Sequence, residues 1–310
     1  MVSCAVSRSG ISSLQPLTTI LDYIRWGASR FNEAGLFFGH GTDNAIDEAA
    51  ALVLHTLHLP QDLHASWFQS QLTEEERDQV VELIRQRIEK RLPLPYLTGE
   101  AWFAGLRFAV NPHVLIPRSP MAELIENGFS PWLDAGRVNN VLDLCCGSGC
   151  IGIATAVSLP GCHVDLVDIS SEALAVCEEN IQAHGLSDQV HVIQSDLFQS
   201  LGTQRYDLII SNPPYVAEEE MARLPQEYLH EPVLALHAEE DGLLIAKRIL
   251  REAPKFLAPQ GILIVEVGNS ATLLQETYPD IPFLWLEFER GGSGVFLLSA
   301  EDLAQYADNI

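Results

Sequence analysis

Basic residues are scarce in this chain. Its 310 residues include 18 lysines and arginines against 42 aspartates and glutamates, a formal net charge of −24. Such a balance repels the phosphate backbone that a nucleic-acid enzyme must approach, so no direct nucleic-acid substrate is expected and a basic protein is the natural partner. Solubility alone is the simpler reading of the same balance. Long apolar runs are lacking too: nothing approaches the about twenty residues of a membrane span, so no membrane partner is expected. The opening stretch MVSCAVSRSGISSLQPL has no sustained apolar core after its basic residue. It does not read as a secretory signal, and a cytoplasmic protein is expected. Paired C-x-x-C spacing is absent as well. Of six cysteines, Cys145, Cys146, Cys150 and Cys162 crowd one stretch, as reduced buried thiols would, and no metal is expected.

Two stretches organise the rest. Val138 to Gly149 reads VNNVLDLCCGSG and Tyr206 to Tyr215 reads YDLIISNPPY. Each is an apolar run that breaks into turn chemistry at its C-terminal end, as a central strand of a parallel sheet does on meeting a ligand crevice. In the first, Asp143 closes the strand, and Gly147 and Gly149 let the backbone turn tightly against a ligand and open a helix. Gly147, Gly149 and Gly152 also spell G-x-G-x-x-G, with Asp168 about twenty residues beyond, which is the dinucleotide fingerprint. An acidic residue inside the turn repels a pyrophosphate but suits an ammonium group. S-adenosylmethionine, a sulfonium with an amino-acid tail, is therefore the expected cofactor. The D-x-x-x-G-x-G spacing resembles motif I of class I methyltransferases, with Cys145 standing where that class usually has glycine.

In the second stretch, Asn212-Pro213-Pro214-Tyr215 follows an apolar strand that two prolines cannot continue, since each lacks a backbone donor. The corner leaves the Asn212 side-chain carbonyl and the Pro213 backbone carbonyl as acceptors, and the Tyr215 ring as a flat wall. Two acceptors suit a planar NH2 group. The quartet matches the (D/N/S)-PP-(Y/F) motif of methyltransferases acting on amide or exocyclic amino nitrogens; a proline turn that merely ends a strand is the simpler alternative.

Along the chain, residues 14–32 place Leu17, Ile20, Leu21, Ile24, Ala28 and Phe31 on one helical face. A second helix is expected to run to Leu59 with Thr42 or Asp43 as its cap, preceded by a loop in which His40 makes a local hydrogen bond. Thr73 and Glu76 spell a capping box for a third helix reaching about Arg91. The alternation from Pro93 predicts a β-hairpin linker ending at Pro117-Arg118-Ser119-Pro120, in which Arg118 is either a substrate-positioning cation or half of a surface ion pair. Strands are predicted near 138–144, 163–168, 190–194, 206–211, 261–267, 283–289 and 294–299, the last two as an antiparallel edge hairpin around Gly291 to Gly294. Asp168 ends the second of these, where a carboxylate can accept both ribose hydroxyls, and Asp196 ends the third, where it can accept from an adenine amino group. An acidic insert fills Val216 to Asp241, either attracting a basic target or lying as a solvated face. The expected domains are 1–92, helical and substrate-recognising; 93–120, the hairpin linker; and 121–310, an α/β doubly wound catalytic domain.

Together, Tyr96-Leu97-Thr98-Gly99, Val114-Leu115-Ile116-Pro117-Arg118, Asp143 to Gly149 and Asn212-Pro213-Pro214-Tyr215 resemble the protein-(glutamine-N5) methyltransferase family over nearly the whole chain. Phe38-Gly39-His40-Gly41-Thr42-Asp43-Asn44 and the Asp143-Leu144-Cys145 form resemble its branch acting on ribosomal protein L3 more than the release-factor branch. The resemblance implies a seven-stranded Rossmann-like sheet behind a small helical domain, and methyl transfer from S-adenosylmethionine to one glutamine amide nitrogen of a basic ribosomal protein, in support of ribosome assembly. It implies a cofactor set of Asp143, Cys145, Gly147, Gly149, Asp168, Asp196 and Asn212, with Asn212, Pro213, Pro214, Tyr215 and Arg118 at the substrate. Methylation of release factors and of nucleic-acid amino groups are the alternatives.

Overall fold

The computed structural model describes residues 17–307, so the stretch read for a secretory signal lies outside it except for Leu17. The chain divides into two compact units at Thr98 and Gly99. In the first, helices Ile20–Glu33, Ala45–Thr56 and Glu74–Lys90 bury Phe31, Leu52, Val53, Val80 and Ile84. Thr19 with Asp22 and Thr73 with Glu76 close capping boxes at two of the N-termini. The middle helix is capped by Asn44 instead of Thr42 or Asp43, its Oδ1 accepting from Ile46 and Asp47 N–H at 3.0 Å. Thr42 donates instead to Glu48, which is itself buried against Arg87 with Nε to Oε1 at 2.7 Å. His40 lies in the loop before the middle helix, as expected, and is buried there. Among the described residues no helix is long and apolar enough to cross a membrane.

The second unit opens on a hairpin, β1 (Glu100–Phe103) and β2 (Leu106–Ala109). It is not a linker: Phe103 and Phe108 are buried in this unit's core, and the buried Asn180 side chain accepts from Ala109 N–H at 2.7 Å and donates to Ala109 O at 3.1 Å. The residues before it, Leu94–Thr98, are a helical turn of the first unit.

Seven further strands follow: β3 (Asn140–Leu144), β4 (His163–Asp168), β5 (Val190–Gln194), β6 (Tyr206–Ser211), β7 (Leu257–Glu266), β8 (Leu284–Trp285) and β9 (Val295–Ser299). They form one sheet in the order β5-β4-β3-β6-β7-β9-β8, parallel from β5 through β7, with β9 antiparallel to β7 and β8 antiparallel to β9. The expected antiparallel edge hairpin is present: β8 and β9 pair with each other, β9 lies beside β7, and the two-residue β8 is the outermost strand. Both faces of the central strands are buried, Val141, Leu208 and Ile210 in one layer and Leu142, Leu144 and Ile209 in the other. This is why those strands read as continuous apolar runs.

Helix Cys150–Ser158 crosses β4 so closely that a Cβ on Gly152 would lie 2.2 Å from Leu166 Cδ2 and 3.0 Å from Asp143 Oδ2. Leu166 is fully buried and has nowhere to go. Gly152→Ala is expected to lower stability by about 1–3 kcal/mol through overpacking, visible as a lower Tm and denaturation midpoint. An unchanged midpoint would show that this crossing is not tight.

Candidate active site

The sheet order reverses between β3 and β6, and a cavity of about 360 Å³ opens there across the C-terminal ends of the parallel strands. Such a switch point is where doubly wound sheets take ligands, and the volume lies in the usual range for them. Its walls come from the segments after β3 (Cys145 to Ser148), β4 (Asp168 to Ser170), β5 (Ser195 to Leu197) and β6 (Asn212, Pro214).

After β3 the backbone runs through left-handed conformations at Cys145 (φ 58°), Gly147 (55°) and Gly149 (77°). Glycine accepts that region freely, whereas a cysteine there stores about 1–3 kcal/mol of strain, which accounts for glycine being the usual residue at position 145 of this motif. Cys145 and Gly147 line the cavity, while Gly149 packs inward: a Cβ there would sit 2.9 Å from Leu166. The Asn180 side chain donates to Ser148 O at 2.9 Å, so one buried amide holds both the hairpin and this turn.

Asp143 departs from the expected direct contact with a cofactor ammonium. It is fully buried behind the turn and absent from the cavity wall, with Oδ2 accepting from Gly152 N–H at 2.8 Å. Burial pushes its carboxyl up to about 8, the Gly152 hydrogen bond opposing and the Asp168 charge adding to the rise. Its Oδ1 has no hydrogen-bond partner, and neither has the buried Ser148 Oγ on the cavity wall. Orphaned polar atoms beside a cavity that also exposes Asp168 and Asp196 fit a cationic ligand with a polar tail.

Asp168 stands on the wall with Oδ2 accepting from Gly147 N–H and Oδ1 from Ser170 N–H, both at 2.9 Å. Burial raises its carboxyl, and those backbone donors counteract the rise. Asp196 also lines the cavity, but it already accepts from Arg248 Nη1 at 2.8 Å and from Gln199 Nε2 at 3.0 Å. Any adenine contact there shares a carboxylate with an arginine.

At the end of β6, Asn212 and Pro214 face the cavity, Pro213 is buried, and Tyr215 stands behind the wall. The Tyr215 hydroxyl donates to Glu266 Oε1 at 2.9 Å, and Ser119 Oγ donates to Glu266 Oε2 at 2.6 Å. Burial raises both the Glu266 carboxyl and the Tyr215 hydroxyl. A Cβ on Gly268 would lie 2.5 Å from the Tyr215 ring, and one on Gly242 would lie 2.1 Å from the Tyr215 carbonyl oxygen. The corner is thus clamped from three sides.

Arg118 lines the cavity and is paired there, not in a surface ion pair. Its Nη1 and Nη2 form a fork-to-fork contact with Glu231 at 2.6 and 2.7 Å, under the ring of Tyr228, and the same Glu231 accepts from Ile116 N–H at 3.0 Å. Bidentate charge-assisted geometry makes this a strong strut. It fastens the segment around Glu231 to the cavity-lining loop Pro112 to Ser119. The acidic insert is accordingly not one solvated face: Glu227 and Glu231 are buried, while Glu218, Glu219, Glu239 and Glu240 are exposed.

Four residues escaped the sequence reading: Asn180, Glu231, Arg248 and Glu266. Glu266 had a signal, an acidic residue closing an apolar strand as Asp143 and Asp168 do. Glu231 had none, being one acid in an acidic run.

A doubly wound seven-stranded sheet with this cavity at its switch point and an Asn-Pro-Pro-Tyr corner after β6 defines a class I methyltransferase, for which S-adenosylmethionine is the methyl donor. Residues 129–239 match the family "Methyltransferase small domain" and residues 22–99 match "PrmC N-terminal domain". The hMettl16 catalytic domain, solved in complex with MAT2A 3'UTR hairpin 6, aligns with TM-score 0.50 at 18% identity over 77% of this chain and 86% of that one, a likeness of fold alone. The chain is 50% identical, over 94% of its length and 93% of the relative's, to the ribosomal protein uL3 glutamine methyltransferase of Francisella tularensis. It is likewise 50% identical to that of Xanthomonas campestris, over 95% of each chain. It belongs to the ribosomal protein uL3 glutamine methyltransferase family.

Proposed function

We propose that this enzyme methylates the side-chain amide nitrogen of a glutamine in ribosomal protein L3, in the cytoplasm and in support of ribosome assembly. The observation that carries the reading is the identity of 50% along almost the whole chain to enzymes of that name, with the Asn212 corner placed on the cavity wall. S-adenosylmethionine, when bound, supplies a methyl group made electrophilic by its sulfonium. The chain's part is to prepare a poor nucleophile, because the amide lone pair is delocalised into its carbonyl. In this reading the Asn212 side-chain carbonyl and the Pro213 carbonyl accept the two amide N–H bonds, turn the nitrogen toward the methyl and stabilise the positive charge that develops on it. Pro214 keeps the corner rigid. Glu266 and Gly268 hold Tyr215 in place behind it, as a support for the amide plane. No general base is needed before methyl transfer.

Residues 22–99 serve substrate recognition in this proposal, and the exposed acids of the insert draw in a basic protein. Radiolabelled methyl transfer to ribosomal protein L3, with ribosomal RNA as competitor, is expected to label the protein; label in RNA alone would overturn the reading. The electrostatic part has its own test. Association with the protein substrate is expected to slow as salt rises, because exposed charges are screened beyond about 8 Å at physiological ionic strength. Replacing Glu218, Glu219 and Glu220 with Gln together is expected to lower kcat/KM at low salt and to matter little at high salt. Equal low-salt rates for wild type and variant would return these three acids to a plain solvated surface.

A further inference from the structure

Aliphatic side chains are exposed where the cavity opens. Leu229 is 67% exposed, Val233 64%, Leu234 58% and Ile169 52%. Leu234 and Ile169 line the cavity itself, while Leu229 and Val233 sit on the two short helical turns, Gln226–His230 and Val233–Leu236, that bring Leu234 there. Of the twelve large apolar side chains left exposed in the described residues, two thus line this cavity and two more stand on the turns that adjoin its wall along the chain. Their backbone is not loose. Glu231 lies between the two turns and is pinned by Arg118 and Ile116 N–H, and Val216 N–H donates to Leu236 O at 2.8 Å. Apolar groups held out in water by a fastened scaffold mark an interaction surface.

The occupant follows from reach. The amide nitrogen of a glutamine is only four bonds from its own Cα, roughly 5 Å. A glutamine whose amide meets Asn212 therefore brings its backbone to the mouth of the cavity, and residues a few positions along the substrate must lie on the lip. The exposed carboxylates of Glu218, Glu219, Glu239 and Glu240 occupy the same insert as the apolar turns. The geometry points to a docking lip, formed by Leu229, Val233 and Leu234, that takes apolar side chains within a few residues of the target glutamine in a substrate segment that also carries basic residues. This rests on the proposed protein-glutamine substrate and adds to it the local chemistry that selects one glutamine over others. Because the contact is apolar, salt does not screen it, which separates it from the steering by the acidic side chains.

The test is the double variant Leu229→Ser/Val233→Ser, whose two residues lie outside the cavity wall. With ribosomal protein L3 as substrate, KM is expected to rise about tenfold from the lost aliphatic contact, at low and high salt alike. kcat, S-adenosylmethionine affinity by calorimetry and Tm are expected to stay at wild-type values. An unshifted KM would overturn the lip while wild-type labelling of the protein left the substrate reading standing. Absence of any wild-type label on protein would overturn the substrate reading and the lip with it. Concentration-dependent self-association of the wild type, lost in the variant without a change in KM, would assign the patch to a second copy of this chain instead.

Discussion

Asn212→Ala is expected to lower turnover on the order of 10²–10³-fold while leaving S-adenosylmethionine affinity close to wild type. Asn212 lies on the cavity wall at the end of β6, held there by a corner that cannot relax: two prolines follow it, and Gly242 and Gly268 press against Tyr215 beyond them. In the proposed mechanism its carbonyl accepts from the amide and that bond strengthens as positive charge grows on nitrogen, so its removal acts on the transition state more than on binding. The expected signature is a fall in kcat with little change in the KM for cofactor, measured by steady-state methyl transfer and by calorimetry with S-adenosylmethionine. A variant that retains the full rate would remove Asn212 from the chemistry.

Asp168→Ala is expected to weaken S-adenosylmethionine binding by about 1.5–3 kcal/mol, roughly ten- to a hundredfold in Kd. Two effects combine. The proposed charged acceptor for the ribose hydroxyls is lost, and so are the hydrogen bonds by which Asp168 accepts from Gly147 N–H and Ser170 N–H, which shape the turn and hold Ser170, the N-cap of helix Ser171–Ala183. Thermal unfolding separates them, since a loosened turn lowers Tm in the absence of cofactor and a lost ligand contact does not. Unchanged cofactor affinity would sink the ribose assignment.

Much of the site was legible in the sequence because its parts are local. A strand that ends in turn chemistry announces itself within ten residues, and the segments after β3, β4, β5 and β6 all reach the cavity that their spacing implied. What was hidden depends on separation along the chain. Arg118 and Glu231 lie 113 residues apart, and Tyr215 and Glu266 lie 51 apart. Neither pairing leaves a periodic or turn signal, and Arg118 alone looks like any arginine in a proline-rich turn. Asp143 was misplaced for a subtler reason. Its position at a strand end suggested a ligand contact, but the side chain points to the helix side, where Gly152 leaves room for it.

The most direct test of the whole reading is the chemical form of the transferred methyl. Ribosomal protein L3 labelled by the enzyme from radioactive S-adenosylmethionine would be purified and hydrolysed in strong acid. A methyl on a glutamine amide nitrogen leaves with that nitrogen, so the expected result is volatile radioactive methylamine, lost when Asn212→Ala replaces the wild type. Label that survives hydrolysis on a lysine or arginine derivative, or that appears only in nucleosides when RNA is offered, would contradict it.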